Sequence, residues 1–266
     1  MKIIDAHTHF TDDGTWFGTR VTSSSDKLIP NVINSPLYKA VILPFAPFTT
    51  NSSVARVCEA HPDKFIGFAS VHPEQDESPS KKLEEDIKRY HLKGLKLHAR
   101  LQGFDFHSPA ITDIFRKAAE LSLPVIIDAW IKKEDNFYQD LLDVICDIAR
   151  KVPEVNIIIP HLGGEVFTEM PGINEKHPNV FFDISHIFMR IDKKTLTDEV
   201  IPILTKLDTY KIIYGSDFPE INLNRYLKLT ENILEEAGFS EEIKENIFYT
   251  NITDLINIKD KHEPGG

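Results

Sequence analysis

The chain has 266 residues, 41% of them hydrophobic and 27% charged, which is ordinary for a globular protein and long enough to bury a large core. Its 30 Lys and Arg against 41 Asp and Glu leave a net charge of −11, which would repel a polyphosphate backbone, so nucleic acid is not an expected partner. No window approaches the roughly 18 successive apolar residues of a membrane span, and no signal peptide is recognisable, so no membrane partner and a cytoplasmic location are expected.

Short apolar or β-branched runs alternate along the chain with longer stretches at helical period. The first run, Lys2 to His9, carries Asp5, His7 and His9 at two-residue spacing, so a strand would project all three to one face with both imidazoles at its end. That is a two-nitrogen metal seat. Taken alone it is weak, because 11 His in a chain of this length give roughly 0.5 His-x-His pairs by chance. Seven further strands are predicted at 39–45, 65–72, 94–98, 124–130, 156–161, 180–185 and 211–217.

Helix signals fall between them. Ser78-Pro79 opens a run to Tyr90, and Ser108-Pro109 opens one to Leu121, each pairing an N-cap residue with a proline at the first helical position. The cluster Lys81, Lys82, Lys88 and Arg89, interleaved with Glu84, Glu85 and Asp86, reads as a solvated helix face. Leu141, Leu142, Ile145 and Ile148 form an apolar stripe at helical spacing, as do Ile233, Leu234 and Ala237. Cys58 and Cys146 lack a CxxC partner and read as buried free thiols in a reducing compartment.

Strands alternating with helices argue for parallel βαβ units, and eight of them fit a closed (β/α)8 barrel in a single domain over 1–266, with an open doubly wound sheet as the rival. Ionisable residues gather at the C-terminal ends of the predicted strands: His7 and His9, His72, Lys96 and His98, Asp128, His161 and Asp217. In a barrel those ends converge on one mouth, where active sites of this fold sit.

The run from His7-x-His9, through His161 in His-Leu-Gly-Gly, to Asp217 in Tyr-Gly-Ser-Asp-Phe-Pro resembles the amidohydrolase superfamily. The segment Gly94 to Phe104, followed by a helix and Leu-Pro-Val-Ile-Ile, is similar to its amidohydrolase-related branch, which includes aminocarboxymuconate semialdehyde decarboxylase. The resemblance implies a TIM barrel holding one divalent metal ion, with Zn2+ the first choice and Mn2+ the alternative. It places that ion on His7, His9 and Asp217, with His161 beside the water or substrate. Strand five departs from the pattern: Asp128 stands where the family carries a histidine. A carboxylate there is a candidate fourth ligand that would favour a harder ion such as Mn2+ or Mg2+; the alternative is a hydrogen-bond partner of another ligand. Some lactonases of the superfamily are thought to work without a metal, so a metal-free site stays open.

Elementary chemistry assigns the same roles. Two imidazoles on an ion leave positions for water, whose pKa such an ion lowers from 15.7 toward about 7. Asp217 would then move the proton, while His161 stabilises the oxyanion or orients the water. Lys96, His98 and Arg100 are candidate contacts for an anionic part of a substrate, the alternative being an internal salt bridge with Asp5. A variant of the superfamily that the chain resembles bridges two ions with a carboxylated lysine on strand four, but Lys-Leu-His at 96–98 is similar to the single-metal branch, which makes a carboxylated Lys96 the rarer alternative. His72 and His186 are weaker pocket candidates, and His61, His91, His107, His177 and His262 read as solvated. Trp16, Phe17, Phe45, Phe48 and Trp130 follow strand ends and could wall a small organic ligand. The function expected is metal-assisted hydrolysis of a small carboxylated or cyclic molecule, a lactone or an amide. A decarboxylase is the first alternative, and a non-catalytic metabolite-binding barrel the second. A homodimer is the default oligomer.

Overall fold

The computed structural model describes residues 1–258 except 18, 129 and 132–135, with residues 136–140 described in their backbone only. His262 and the end of the chain lie outside the described residues, as does Ala129 within the predicted fifth strand. Eight parallel strands are present: β1 Ile4–Thr8, β2 Lys39–Ile42, β3 Phe65–Gly67, β4 Leu95–Leu97, β5 Val125–Ile127, β6 Ile157–Ile159, β7 Val180–Asp183 and β8 Ile212–Ile213. Each lies inside its predicted run and is shorter than it.

Hydrogen-bonded neighbours run β1-β2-β3 and β4-β5-β6-β7-β8. Two seams join these into one closed ring. Ala69 N–H donates to Gly94 O and Lys96 N–H to Ala69 O, each at 2.8 Å, which couples β3 to β4. Ala6 N–H donates to Tyr214 O at 3.0 Å and Asp217 N–H to His7 O at 2.8 Å, which couples β8 to β1. The open-sheet alternative is thereby excluded, and the protein is a (β/α)8 barrel.

Side-chain alternation divides the core in two. Ala40, Ile42, Phe65, Leu95, Leu97, Val125, Ile127, Ile157, Ile159 and Ile212 pack outward against helix residues such as Leu28, Val54, Leu83, Ile114, Ile145 and Leu234. The residues between them, Val41, Ile66, Ile126, Ile158 and Ile213, form a second cluster with Ile252, Leu255 and Ile256 of the C-terminal segment. That second cluster is the inside of the barrel. Lys96 lies between outward Leu95 and Leu97, and Asp128 follows Ile126 by two, so both point inward.

The proline-started helices appear at Pro79–Tyr90 and Pro109–Glu120, although neither Ser78 nor Ser108 makes a side-chain cap. On the first of these, Lys81 pairs with Glu85 at 3.6 Å and Lys88 with Glu84 at 2.5 Å on the solvated face. Leu141, Ile145 and Ile148 bury the inner face of Asn136–Lys151. Both cysteines are free, and burial pushes the Cys58 thiol up to about 12, where it is unreactive. Among the described residues no helix is long and apolar enough to cross a membrane.

Candidate active site

The two histidines of β1 are fixed by their outer nitrogens. His7 Nδ1 donates to Asp183 Oδ2 at 2.5 Å, and His9 Nδ1 donates to Leu43 O at 2.6 Å. With those protons committed, each Nε2 carries only a lone pair. The two Nε2 atoms face each other at 3.0 Å, and Asp217 Oδ1 lies 3.6 Å from His7 Nε2 and 3.4 Å from His9 Nε2. Three electron-rich atoms at these separations repel unless a cation sits among them. Donors each about 2.0–2.2 Å from one ion stand at about such mutual distances, so this set fits a divalent metal. The Asp183 carboxylate behind His7 supplies the outer hydrogen bond that orients a ligating imidazole.

Asp217 reaches this position because β8 passes unusually close to β1. A Cβ on Gly215 would lie 2.6 Å from His7 Cβ and 3.1 Å from Asp183 Oδ1, so only glycine fits there. Asp5 secures the same seam: its Oδ1 accepts the backbone N–H of His7 at 3.1 Å and of Ser216 at 2.8 Å. The pairing register of β1 shifts between Asp5 and Thr8. Asp5 therefore does not join His7 and His9 at the pocket, and it is no salt-bridge partner for Lys96, His98 or Arg100. Burial raises its carboxyl to about 7.

His161, His186 and Asp217 form a second group of donors close enough for an ion. Chemistry removes it from contention. Arg190 Nε lies 2.7 Å from His186 Nε2 and can only donate, so the imidazole proton is on Nδ1, which donates to Asp217 Oδ2 at 2.8 Å. His161 Nδ1 lies 3.1 Å from the Ser185 carbonyl and 2.9 Å from its hydroxyl. The carbonyl can only accept, which leaves His161 Nε2 unprotonated. All three residues have left-handed backbones, with φ of 57° at His161, 63° at His186 and 66° at Asp217. Such conformations cost about 1–3 kcal/mol each for most side chains and gather where function requires them.

Burial works against charge on Asp217, but the hydrogen bond from His186 and the surrounding imidazoles outweigh it and hold the carboxyl well below its usual range. His7 and His161 are pushed down by burial, which favours their neutral forms.

Lys96, His98, Arg100 and Asp128 line the same pocket, a cavity of 360 Å³. Asp128 Oδ2 lies 3.3 Å from an Arg100 nitrogen and 3.4 Å from His98 Nδ1, and it belongs to neither donor group. Burial pushes the His98 imidazole down to about 3, so it is neutral near pH 7. Burial works against charge on Asp128, but the neighbouring His98, Arg100 and Lys96 outweigh it and hold the carboxyl at about 2. Lys96 is fully buried, and among the described residues no carboxylate comes within ion-pair distance of its amine. Burial pushes that amine down, against the pull of Asp128, Asp217 and Asp183.

Trp16, Phe17 and Phe45 form an apolar wall in which Trp16 and Phe45 stand 5.6 and 5.1 Å from the His9 ring. Trp130 stands 5.9 Å from the His161 ring and 6.0 Å from His186. Phe48 packs behind Phe17 and does not line the cavity. His72 is also outside it: its Nε2 contacts Gln102 O at 2.9 Å, while its Nδ1 accepts the N–H groups of Glu74 and Gln75. Three residues of the site were not singled out from sequence. Asp183 ends β7 as the other polar residues end their strands, a signal that was available; Arg190 ends the single helical turn Ile187–Arg190 and Glu220 lies in a turn, both too short to show periodicity.

The amidohydrolase family's sequence model matches residues 4–258. A 2-amino-3-carboxymuconate-6-semialdehyde decarboxylase of Dictyostelium discoideum is 24% identical over 239 residues, 78% of this chain. The match spans 65% of that relative's length, so the chain covers less than two thirds of it. Among solved structures, a probable 2-pyrone-4,6-dicarboxylic acid hydrolase of Acinetobacter baumannii with citric acid bound superposes with a TM-score of 0.70 at 16% identity, over 97% of this chain and 100% of that one. A 5-carboxyvanillate decarboxylase of Novosphingobium aromaticivorans, complexed with manganese and 4-hydroxy-3-methoxy-5-nitrobenzoic acid, gives 0.74 at 16% identity over 97% and 96%. The match along nearly the whole described chain settles what the barrel alone leaves open: the protein belongs to the amidohydrolase family.

Proposed function

We propose that the chain is a metal-dependent hydrolase of a small carboxylated or cyclic substrate, a lactone or an amide. The observation that carries this is the convergence of three proton-free donors, His7 Nε2, His9 Nε2 and Asp217 Oδ1, at the mouth of the barrel. These three would hold the ion, zinc or manganese. When bound, it would polarise a water or a substrate oxygen and offset the charge that develops there.

The chain's own groups do the rest. Asp217 accepts a proton from the attacking water and returns it to the leaving group. His161, with Nε2 unprotonated, orients that water by accepting a hydrogen bond from it. Lys96, His98 and Arg100 receive a carboxylate of the substrate, while Trp16, Phe45 and Trp130 exclude bulk water from its apolar part. Asp128 serves this anion-binding end by anchoring Arg100, and lies apart from the ion's donors. The free cysteines support action in a reducing compartment.

Decarboxylation is the second reading, favoured by the Dictyostelium relative and the manganese-bound neighbour. A panel of lactones, amides and unsaturated carboxylic acids, followed for acid release and carbon dioxide together, separates them. Acid release that stops on chelation and returns with zinc or manganese supports hydrolysis. Carbon dioxide without net acid supports the second reading. Turnover unaffected by chelator and by His7→Ala overturns both.

A further inference from the structure

The two oxygens of Asp217 have different surroundings. Oδ1 faces His7 and His9, whereas Oδ2 accepts from His186 Nδ1 at 2.8 Å. The other side of the His186 ring is held from outside the donor set. Arg190 Nε meets His186 Nε2 at 2.7 Å, and a guanidinium has no acceptor, so Nε2 must accept and the proton must stay on the side of Asp217. Arg190 is itself held. Its terminal nitrogen donates to Glu220 Oε2 at 2.8 Å, and Glu220 Oε1 accepts the Trp16 indole N–H at 3.0 Å. Trp16 follows β1, Arg190 follows β7 and Glu220 follows β8, so this hydrogen-bonded chain crosses the barrel mouth and ends on Asp217.

We propose that Arg190 is a positioning residue, anchored by Glu220 and Trp16, that holds the His186 ring in the orientation in which Nδ1 donates to Asp217 Oδ2. One carboxylate oxygen is thereby committed to His186 and the other left for the ion and for proton transfer. The inference rests on Asp217 being a ligand, as proposed above. Its physical basis is the general one that partners behind a ligand tune metal sites, their loss costing about 10–100-fold in affinity. A role as a plain positive charge makes the opposite prediction: a cation near the site repels the ion, so removing it would tighten binding.

The test uses the full chain, with histidine side-chain nitrogens observed by NMR in the zinc-loaded protein and zinc affinity measured by competition with a chelating dye. In the unaltered chain His186 Nε2 is expected in the unprotonated range. Arg190→Met, at a side chain that is 51% exposed and so carries little folding risk, should release the far side of the ring and loosen the His186 Nδ1–H hydrogen bond to Asp217, read as faster solvent exchange of the Nδ1 proton. The same variant should weaken zinc binding about tenfold. Glu220→Gln, which leaves Arg190 in place without its anchor, should move both readouts the same way by a smaller step. A protonated Nε2 in the unaltered chain, an Nδ1 proton whose exchange Arg190→Met leaves unchanged, or zinc binding unchanged or tighter in that variant would overturn the proposal. Neither readout needs turnover, so a chain inert toward every substrate offered would still decide it. A chain that binds no zinc would sink the assignment of the ion's ligands while leaving the nitrogen measurement on the metal-free protein to judge Arg190.

Discussion

His98 offers a quantitative test of how dry and how polarised the anion-binding end of the pocket is. Its imidazole is buried, caps Ala99–Gln102 by accepting the Leu101 N–H at 3.3 Å, and is pushed down to about 3 from an ordinary 6.5. As pH falls through about 6.5 the unfolded chain takes up a proton there that the folded chain refuses until about 3. The stabilising contribution of a neutral His98 is therefore complete above about pH 6.5 and lost progressively below it. At about 1.4 kcal/mol for each pH unit crossed between those two values, the loss is about 2 kcal/mol by pH 5 and about 5 kcal/mol by pH 3. Asn at this position keeps a capping acceptor and does not titrate. Urea unfolding of the chain and of His98→Asn at pH 7.5 and pH 5 isolates the site, because the other histidines are common to both proteins. The variant should lose about 2 kcal/mol less between the two pH values. Equal losses would refute the argument and mean that His98 is protonated in the folded chain against Asp128, 3.4 Å away.

Other changes probe the donor set. Asp183→Asn removes the carboxylate behind His7 and should weaken zinc binding about tenfold in the same dye competition; an unchanged affinity would show that the 2.5 Å contact does not tune the ligand. Gly215→Ala places a Cβ 2.6 Å from His7 Cβ and should cost about 1–3 kcal/mol in thermal unfolding, together with the bound metal, whereas an unaltered melting temperature would contradict the close passage of β8 over β1. Asp128→Asn should keep stoichiometric zinc by elemental analysis while Asp217→Asn loses it. Equal loss in the two variants would make Asp128 a ligand.

Much of the barrel was legible because parallel strands covered on both faces are written as continuous apolar runs, as in Val125–Ile127 and Ile157–Ile159. Their ends were harder to place. The predicted runs continue to His161 and Asp217, but the backbone turns left-handed at both residues. What aims these side chains is thus a turn that apolar patterning does not encode. The same limit applies at β1, where strict alternation puts Asp5 beside His7 and His9. The register shift redirects that carboxylate to the backbone of His7 and Ser216. Asp128 shows the opposite case: its departure from the family's histidine was visible at once, but its Arg100 partner depends on how the segment after β4 folds back over the pocket. Arg190 and Glu220 were invisible for a similar reason, since their meeting depends on how the short segments after β7 and β8 are placed.

The central claim is that His7, His9 and Asp217 together seat one divalent ion. Diffraction from crystals of the zinc-loaded chain, recorded on both sides of the zinc absorption edge, tests it directly. A single anomalous peak is expected about 2.0–2.3 Å from His7 Nε2, His9 Nε2 and an Asp217 oxygen, with His186 still hydrogen-bonded to the other oxygen. A peak ligated by Asp128, a peak between His161 and His186, or no peak at the barrel mouth would contradict it.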